Sequence, residues 1–285
     1  MHTQPNNHAL DANCLICGGS LHPSHLKDLW RCKACGFLTT DVQSQLPVLE
    51  SLYEKGYFEG EIYVDYRLEE PGLRKNFQKR VQDLLRFLPD HATCSLLEVG
   101  CAYGFFLDEA SKQFGRVAGI DQSRHAVARA RARFDQPFEQ GDFLQLDGKG
   151  IHDVVCMWDT IEHLPHPERF VAQSHALLKP GGLLAITTGD IESLSARISG
   201  NRWRLIHPPY HLHYFSKRTL TDLLHRHGFE VIHAGYPAIY RTLAMMILYN
   251  RQAYHPLIQL FAPLLRTCIP LNLYDILFIL ARKRP

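Results

Sequence analysis

Four cysteines stand in two pairs near the start of the chain, Cys14 with Cys17 and Cys32 with Cys35. Thiolates at this spacing on two facing turns make a tetrahedral four-sulfur site, which suits zinc. A glycine follows each pair, Gly18 and Gly36, and lets the chain turn so that backbone amides face the sulfurs. A redox pair or buried free thiols are the other readings, but two spaced pairs favour the metal. Four protein ligands leave no open position, so the zinc is structural. A second constellation lies further on. An apolar run at Leu96–Val99 leads into Gly100, Ala102 and Gly104, with Glu98 two residues before the first glycine. A glycine turn between a buried strand and a helix holds a nucleotide-containing cofactor.

The pattern narrows which cofactor. A dinucleotide loop reads G-x-G-x-x-G, and the last required position here is Phe105. A phosphate-binding Walker loop ends in Gly-Lys-Ser/Thr, which is absent. S-adenosylmethionine fits better. It brings a methionine tail with an amine and a carboxylate beside a sulfonium, and no phosphate. The loop of Gly100, Ala102 and Gly104 lets backbone amides approach that carboxylate, and Glu98 takes the amine. Asp121, seventeen residues past Gly104 and followed by Gln122, stands where a carboxylate grips both ribose hydroxyls. Asp142 accepts from the adenine amino group, with Phe143 beside the ring. Singly, an Asp at a strand end is often only a helix cap.

The elements that must carry these residues follow from periodicity. Apolar runs at 94–99, 116–121, 152–158 and 182–188 alternate with helical patterns at 103–113, 123–134 and 167–178. That alternation predicts an α/β fold, a doubly wound parallel sheet covered on both faces. Residues 179–182 (KPGG) are a turn signal, and two further strands are expected at 229–234 and 274–281. Residues 1–40 are the zinc ribbon, 41–92 a helical connector with apolar residues at helical spacing (Phe77, Val81, Leu84, Leu85, Leu88), and 93–285 the main domain. The arginines of 124–133 make a solvated helix face. Cys94, Cys101, Cys156 and Cys268 are scattered and read as core or loop residues.

Over about residues 75 to 284 the chain resembles the class I S-adenosylmethionine-dependent methyltransferases. The matching stretches are EVGCAYG, GIDQS, GDF, DVVCMWDTIEHLPHP and LLKPGGLLAITTGD. It departs at Ala102, where the family has its middle glycine. The resemblance implies a Rossmann-like seven-stranded sheet with an antiparallel last strand. It sets Trp158 and Asp159 at the edge of the cofactor pocket, and turns the tyrosine-rich stretch 57–66 into a lid with Tyr66 as a contact. Glu162 and His163 match a run common in this branch, read either as a network fixing the loop or as a direct role. Residues 209–216 resemble a run of small-molecule methyltransferases, Pro-x-His-Leu then Phe-Ser, in which His211 is the histidine; Ser216 caps the next helix. If the acceptor is a hydroxyl its proton must go, and a neutral histidine removes one well near pH 7. His211 is the expected general base and His213 the reserve.

Composition bounds the partners. Of 285 residues, 31 are basic and 29 acidic, a net charge of +2 too balanced for a dedicated nucleic-acid binder. The first fourteen residues show no basic-then-apolar run, so a cytoplasmic location is expected. Residues 238–273 are apolar and helix-like, broken by Arg241, Arg251, Pro256, Arg266 and Pro270. They suit contact with the inner membrane face, a lid over a lipid-like acceptor, or a homodimer interface. The expected reaction is O- or C-methylation of a sugar, lipid or quinone-like molecule. A zinc-ribbon RNA base methyltransferase and a binding module that has kept only the fold are the alternatives.

Overall fold

All five residues of the strand Ser95–Val99 are buried, and their side chains divide between two cores. Leu97 and Val99 face one, Leu96 the other, as expected of a central strand covered on both sides. The structure, a computed structural model, describes residues 13–47, 66–248 and 265–284. In chain order the strands are β1 Leu21–Pro23, β2 Trp30–Cys32, β3 Leu38–Thr39, β4 Ser95–Val99, β5 Arg116–Asp121, β6 Phe138–Gln140 and β7 His152–Trp158. They continue with β8 Leu178–Gly189, β9 His213–Tyr214, β10 Phe229–Gly235, β11 Ile239–Thr242, β12 Cys268–Leu271 and β13 Ile276–Lys283. The helices are α1 Tyr66–Leu85, α2 Phe105–Ala110, α3 Arg124–Arg131, α4 Pro167–Leu177, α5 Leu194–Ser199, α6 Lys217–Arg226 and α7 Leu243–Leu248.

Seven strands form one sheet in the order β10-β13-β8-β7-β4-β5-β6. The pairs from β8 to β6 are parallel, while β13 runs antiparallel to both neighbours. The expected seven-stranded sheet with its reversed strand is therefore present. The KPGG turn is absorbed into the sheet: His152 pairs Leu178 and Val154 pairs Leu183, so the intervening residues bulge out of β8. The expected helices are shorter than their apolar patterns, by at most three residues at an end.

The segment from 238 matches its helical reading only in part, at α7 Leu243–Leu248. It begins and ends as strands, β11 pairing antiparallel with β12 in a ribbon of its own. Ile239, Tyr240 and Thr242 are β-branched or aromatic, and Pro270 is tolerated because β12 is an edge. Residues 249–264 of this segment, and the tyrosine stretch 57–65, lie outside the described residues. Among the described residues no helix is long and apolar enough to cross a membrane.

The N-terminal strands build a four-stranded sheet, β1-β2-β3-β9, whose last strand comes from the main domain. Leu38 pairs Tyr214 and Thr39 pairs His213. Cys14, Ile16 and Phe37 share one core with Leu97, Phe215 and Leu220. The cysteine-bearing segment is thus packed into the fold.

Candidate active site

Every parallel strand ends at the same edge of the sheet, and a cavity of about 320 Å³ opens there. Gly100, Asp121, Gly141, Trp158 and Gly189, at or just past the ends of β4 to β8, all line it. Gly100 and Gly104 take left-handed backbone, φ +75° and +77°. A Cβ on Gly100 would meet the Thr160 side chain at 2.9 Å, and one on Gly104 the Phe138 ring at 2.6 Å. Ala102 is also left-handed, φ +46°, which explains why a glycine suits its position. Its amide donates to Asp121 Oδ2 at 2.9 Å, and the Ser123 amide donates to Oδ1 at 2.8 Å. These bonds fix the Asp121 carboxylate against the loop; burial raises its pKa and the two amides oppose the rise.

Gln122, Phe143 and Trp158 line the cavity with Ala102. Phe143 stacks on Phe170 at 5.5 Å, which sets the plane of its ring. Glu98 and Asp142 are not among the lining residues. Glu98 is buried within β4, and its Oε2 has no partner; burial drives its pKa well up, with Arg80 opposing. Asp142 caps the short turn after β6, accepting from the Leu144 amide at 2.9 Å. Tyr66 opens α1, but its side chain lies outside the described residues.

Helix α1 supplies a wall that sequence reasoning missed. Leu73, Phe77 and Arg80 line the cavity from one face of it. Arg80 donates to Asp159 Oδ2 at 2.8 Å, and its guanidinium lies 5.0 Å from the Trp158 ring centre. Thr187 donates to the other Asp159 oxygen at 2.9 Å. Burial opposes ionisation of Asp159, but the charge and hydrogen bond of Arg80 outweigh it and hold the pKa down. A signal existed: Leu73, Phe77, Arg80 and Leu84 follow helical spacing, and an arginine in an apolar stripe needs a buried partner. Asn76 closes the wall against β11, donating to the Tyr240 carbonyl at 3.0 Å and accepting from its amide at 2.7 Å.

Glu162, His163 and His211 also line the cavity, their ligand atoms all within 4.8 Å of one another. The two rings stand edge to face at 4.7 Å. Nδ1 of His163 lies 2.7 Å from the Tyr210 carbonyl, and Nδ1 of His211 lies 2.8 Å from the Leu205 carbonyl. A carbonyl only accepts, so both protons sit on Nδ1 and both lone pairs on Nε2. Burial lowers both histidine pKa values, and with the nearby His163 it pushes His211 down to about 3. Glu162 is pushed up to about 8, first by burial and then by Asp159. The Leu212 amide bonds the Glu162 carbonyl at 2.9 Å, stapling the two segments together. Trp203 and Arg204 anchor the loop before His211 on the buried Asp275, at 3.1 and 2.8 Å.

His213 sits elsewhere. It is fully buried in β9, its Nδ1 2.9 Å from Thr39 Oγ1 and its ring against Phe37. It is not among the cavity-lining residues and belongs to the seam with the N-terminal sheet. In that sheet the four cysteine sulfurs come within 4.8 Å of one another, Cys14 to Cys35 at 3.5 Å and Cys17 to Cys32 at 3.4 Å. Sulfurs around a zinc are about 3.8 Å apart, given ~2.3 Å bonds, so the group fits zinc with slight expansion. Gly18 and Gly36 are left-handed, as the two turns require.

The family model described as "Methyltransferase domain" matches residues 73–234, more than half of the chain. A probable S-adenosylmethionine-dependent methyltransferase of Mycolicibacterium smegmatis is 32% identical over 138 residues, covering 48% of this chain and 52% of that protein. A ubiquinone biosynthesis O-methyltransferase of Nitrosococcus oceani is 29% identical over 114 residues, covering 36% and 48%. The chain spans about half the length of these curated relatives. A crystal structure of a putative methyltransferase from Bacillus halodurans superposes with a TM-score of 0.56 at 16% identity, covering 73% of this chain and all of that one, which bears on the fold alone. With its seven-stranded sheet, reversed β13 and glycine loop after β4, this chain belongs to the methyltransferase domain family, with the class I fold.

Proposed function

We propose that the chain transfers a methyl group from S-adenosylmethionine to a hydroxyl of a small, largely apolar molecule. One observation carries this reading: a single cavity is lined both by the glycine loop with Asp121 and by a chemically distinct Glu162, His163 and His211 cluster. The left-handed loop 100–104 and the fixed Asp121 carboxylate suit the methionine tail and ribose, and Phe143 suits the adenine. Glu98, buried in β4 with an unpartnered Oε2 and a raised pKa, would be favoured in its ionised form by a nearby cation such as the amine or sulfonium. Leu73, Phe77, Leu164 and Leu205 give the walls an apolar character that suits an aromatic or lipid-like acceptor. The related ubiquinone biosynthesis O-methyltransferases support an oxygen acceptor of that kind.

When bound, S-adenosylmethionine supplies an activated methyl on a positively charged sulfur. The chain's own task is alignment of the acceptor oxygen, exclusion of water and disposal of one proton. His211 lines the cavity with its Nε2 lone pair unprotonated, although so low a pKa makes it a weak base for a free hydroxyl. His213, sealed in the seam, takes no part in this scheme. The test is incubation with methyl-labelled cofactor and fractionated extract. Label in a lipid or small-molecule fraction is expected; label confined to RNA supports the RNA base methyltransferase instead, and no transfer supports the binding module.

A further inference from the structure

We propose that Glu162, His163 and His211 hold a divalent transition-metal ion in the cavity, and that the acceptor hydroxyl binds and ionises on it. The inference rests on the methyl-transfer reading above and explains how a site with a weak base can activate an oxygen. Three features point to an ion. The three ligand atoms lie within 4.8 Å of one another, and a common ion at about 2.1 Å from each needs separations of about 3.0–3.5 Å, which side-chain closure of about 1–2 Å supplies. Both imidazoles donate Nδ1–H to a backbone carbonyl, Tyr210 and Leu205, the outer-shell bond that orients a metal-ligating histidine. Glu162 is 5% exposed, and its Oε2 is buried with no partner. A buried carboxylate oxygen of that kind is costly unless a cation or proton meets it.

The ligands are also preorganised. Glu162 and His163 share one short turn, and the Leu212 amide joins that turn to the His211 segment. Two imidazoles and one carboxylate favour Mn, Fe, Co or Zn over Mg or Ca. Three protein ligands leave open positions for the acceptor and water. In the step itself, the acceptor O–H loses its proton to water as the oxygen binds the ion. An oxygen lone pair then forms the new O–C bond while the C–S electron pair departs on sulfur, giving the methyl ether and S-adenosylhomocysteine. The competing arrangement is metal-free: a protonated Glu162 donating to a histidine Nε2.

Titrating protein that carries a single zinc per chain, in the cysteine site, with cobalt(II) separates the two. One further cobalt per chain is expected, with weak visible bands and no sulfur-to-cobalt charge transfer, which excludes exchange into the cysteine site. Glu162→Gln and His211→Asn are each expected to weaken cobalt binding by about 10-fold or more. Calorimetry must show that both variants keep S-adenosylmethionine affinity, as folded proteins would. No cobalt beyond the cysteine site, or equal cobalt affinity in wild type and both variants, overturns the proposal. Cobalt binding without S-adenosylmethionine binding would keep the metal site and remove the methyl-transfer reading.

Discussion

Ala102 is the residue at which local cost and site geometry meet. A left-handed alanine costs roughly 1–2 kcal/mol, whereas glycine there loses about 0.5–1 kcal/mol more chain entropy on folding. With φ at +46°, Ala102→Gly should leave stability level or raise it by less than about 1 kcal/mol, while Ala102→Val should cost more than that. Urea unfolding checks both; equal stability of the two variants would contradict the backbone assignment. Asp153 makes a second residue-scale case. It accepts from the Ser95 amide at 2.8 Å, from the Ser95 hydroxyl at 3.0 Å and from Lys179 at 2.8 Å. Burial opposes its ionisation, but Lys179 and Ser95 outweigh burial and depress its pKa. A depressed carboxyl stabilises the fold above its unfolded value near pH ~4 and loses that contribution as pH falls through the folded value. Asp153→Asn should therefore destabilise by about 1–2 kcal/mol at pH 7, with the difference shrinking in acid. A difference that persists unchanged at low pH would refute the linkage.

At the scale of elements, the N-terminal sheet and the His211 loop are joined through β9. The Thr40 amide bonds the Leu212 carbonyl at 2.8 Å, and Thr39 Oγ1 lies 2.9 Å from His213 Nδ1. The cysteine site holds the two turns that present β3 to that seam. Cys17→Ser should then speed hydrogen exchange at Leu212–Tyr214 and slow methyl transfer, with S-adenosylmethionine affinity within about twofold of wild type, since the glycine loop lies on other strands. Unaltered exchange at 212–214 would show that the ribbon stands apart from the site. The sequence reveals these elements unevenly. Cysteine spacing, the Gly100–Gly104 loop and the strand–helix alternation are local patterns, legible from a few neighbours. β11 and β12 were hidden because the apolar run 238–273 has no period of two, and a short strand against a helix is specified by its partner. Asn76 recognises β11 across 164 positions, and nothing near Asn76 in the chain reports that.

For the whole molecule, the site exists because the strand ends converge at one edge of the sheet, with α1 and β11 closing over it. The acids legible at strand ends divided once the fold was seen. Asp121 faces the cavity, Asp142 caps a turn and Glu98 is sealed within β4. Arg80 and Asp159, 79 positions apart, form a pair only in three dimensions. The central claim is that one S-adenosylmethionine binds against the loop 100–104 with its ribose held by Asp121. Isothermal titration calorimetry of the full chain with S-adenosylmethionine addresses it most directly. One equivalent should bind, and Asp121→Ala should weaken the affinity by at least about tenfold, ~1.4 kcal/mol. Absence of binding by the wild-type chain, or equal affinity in the variant, would contradict the account.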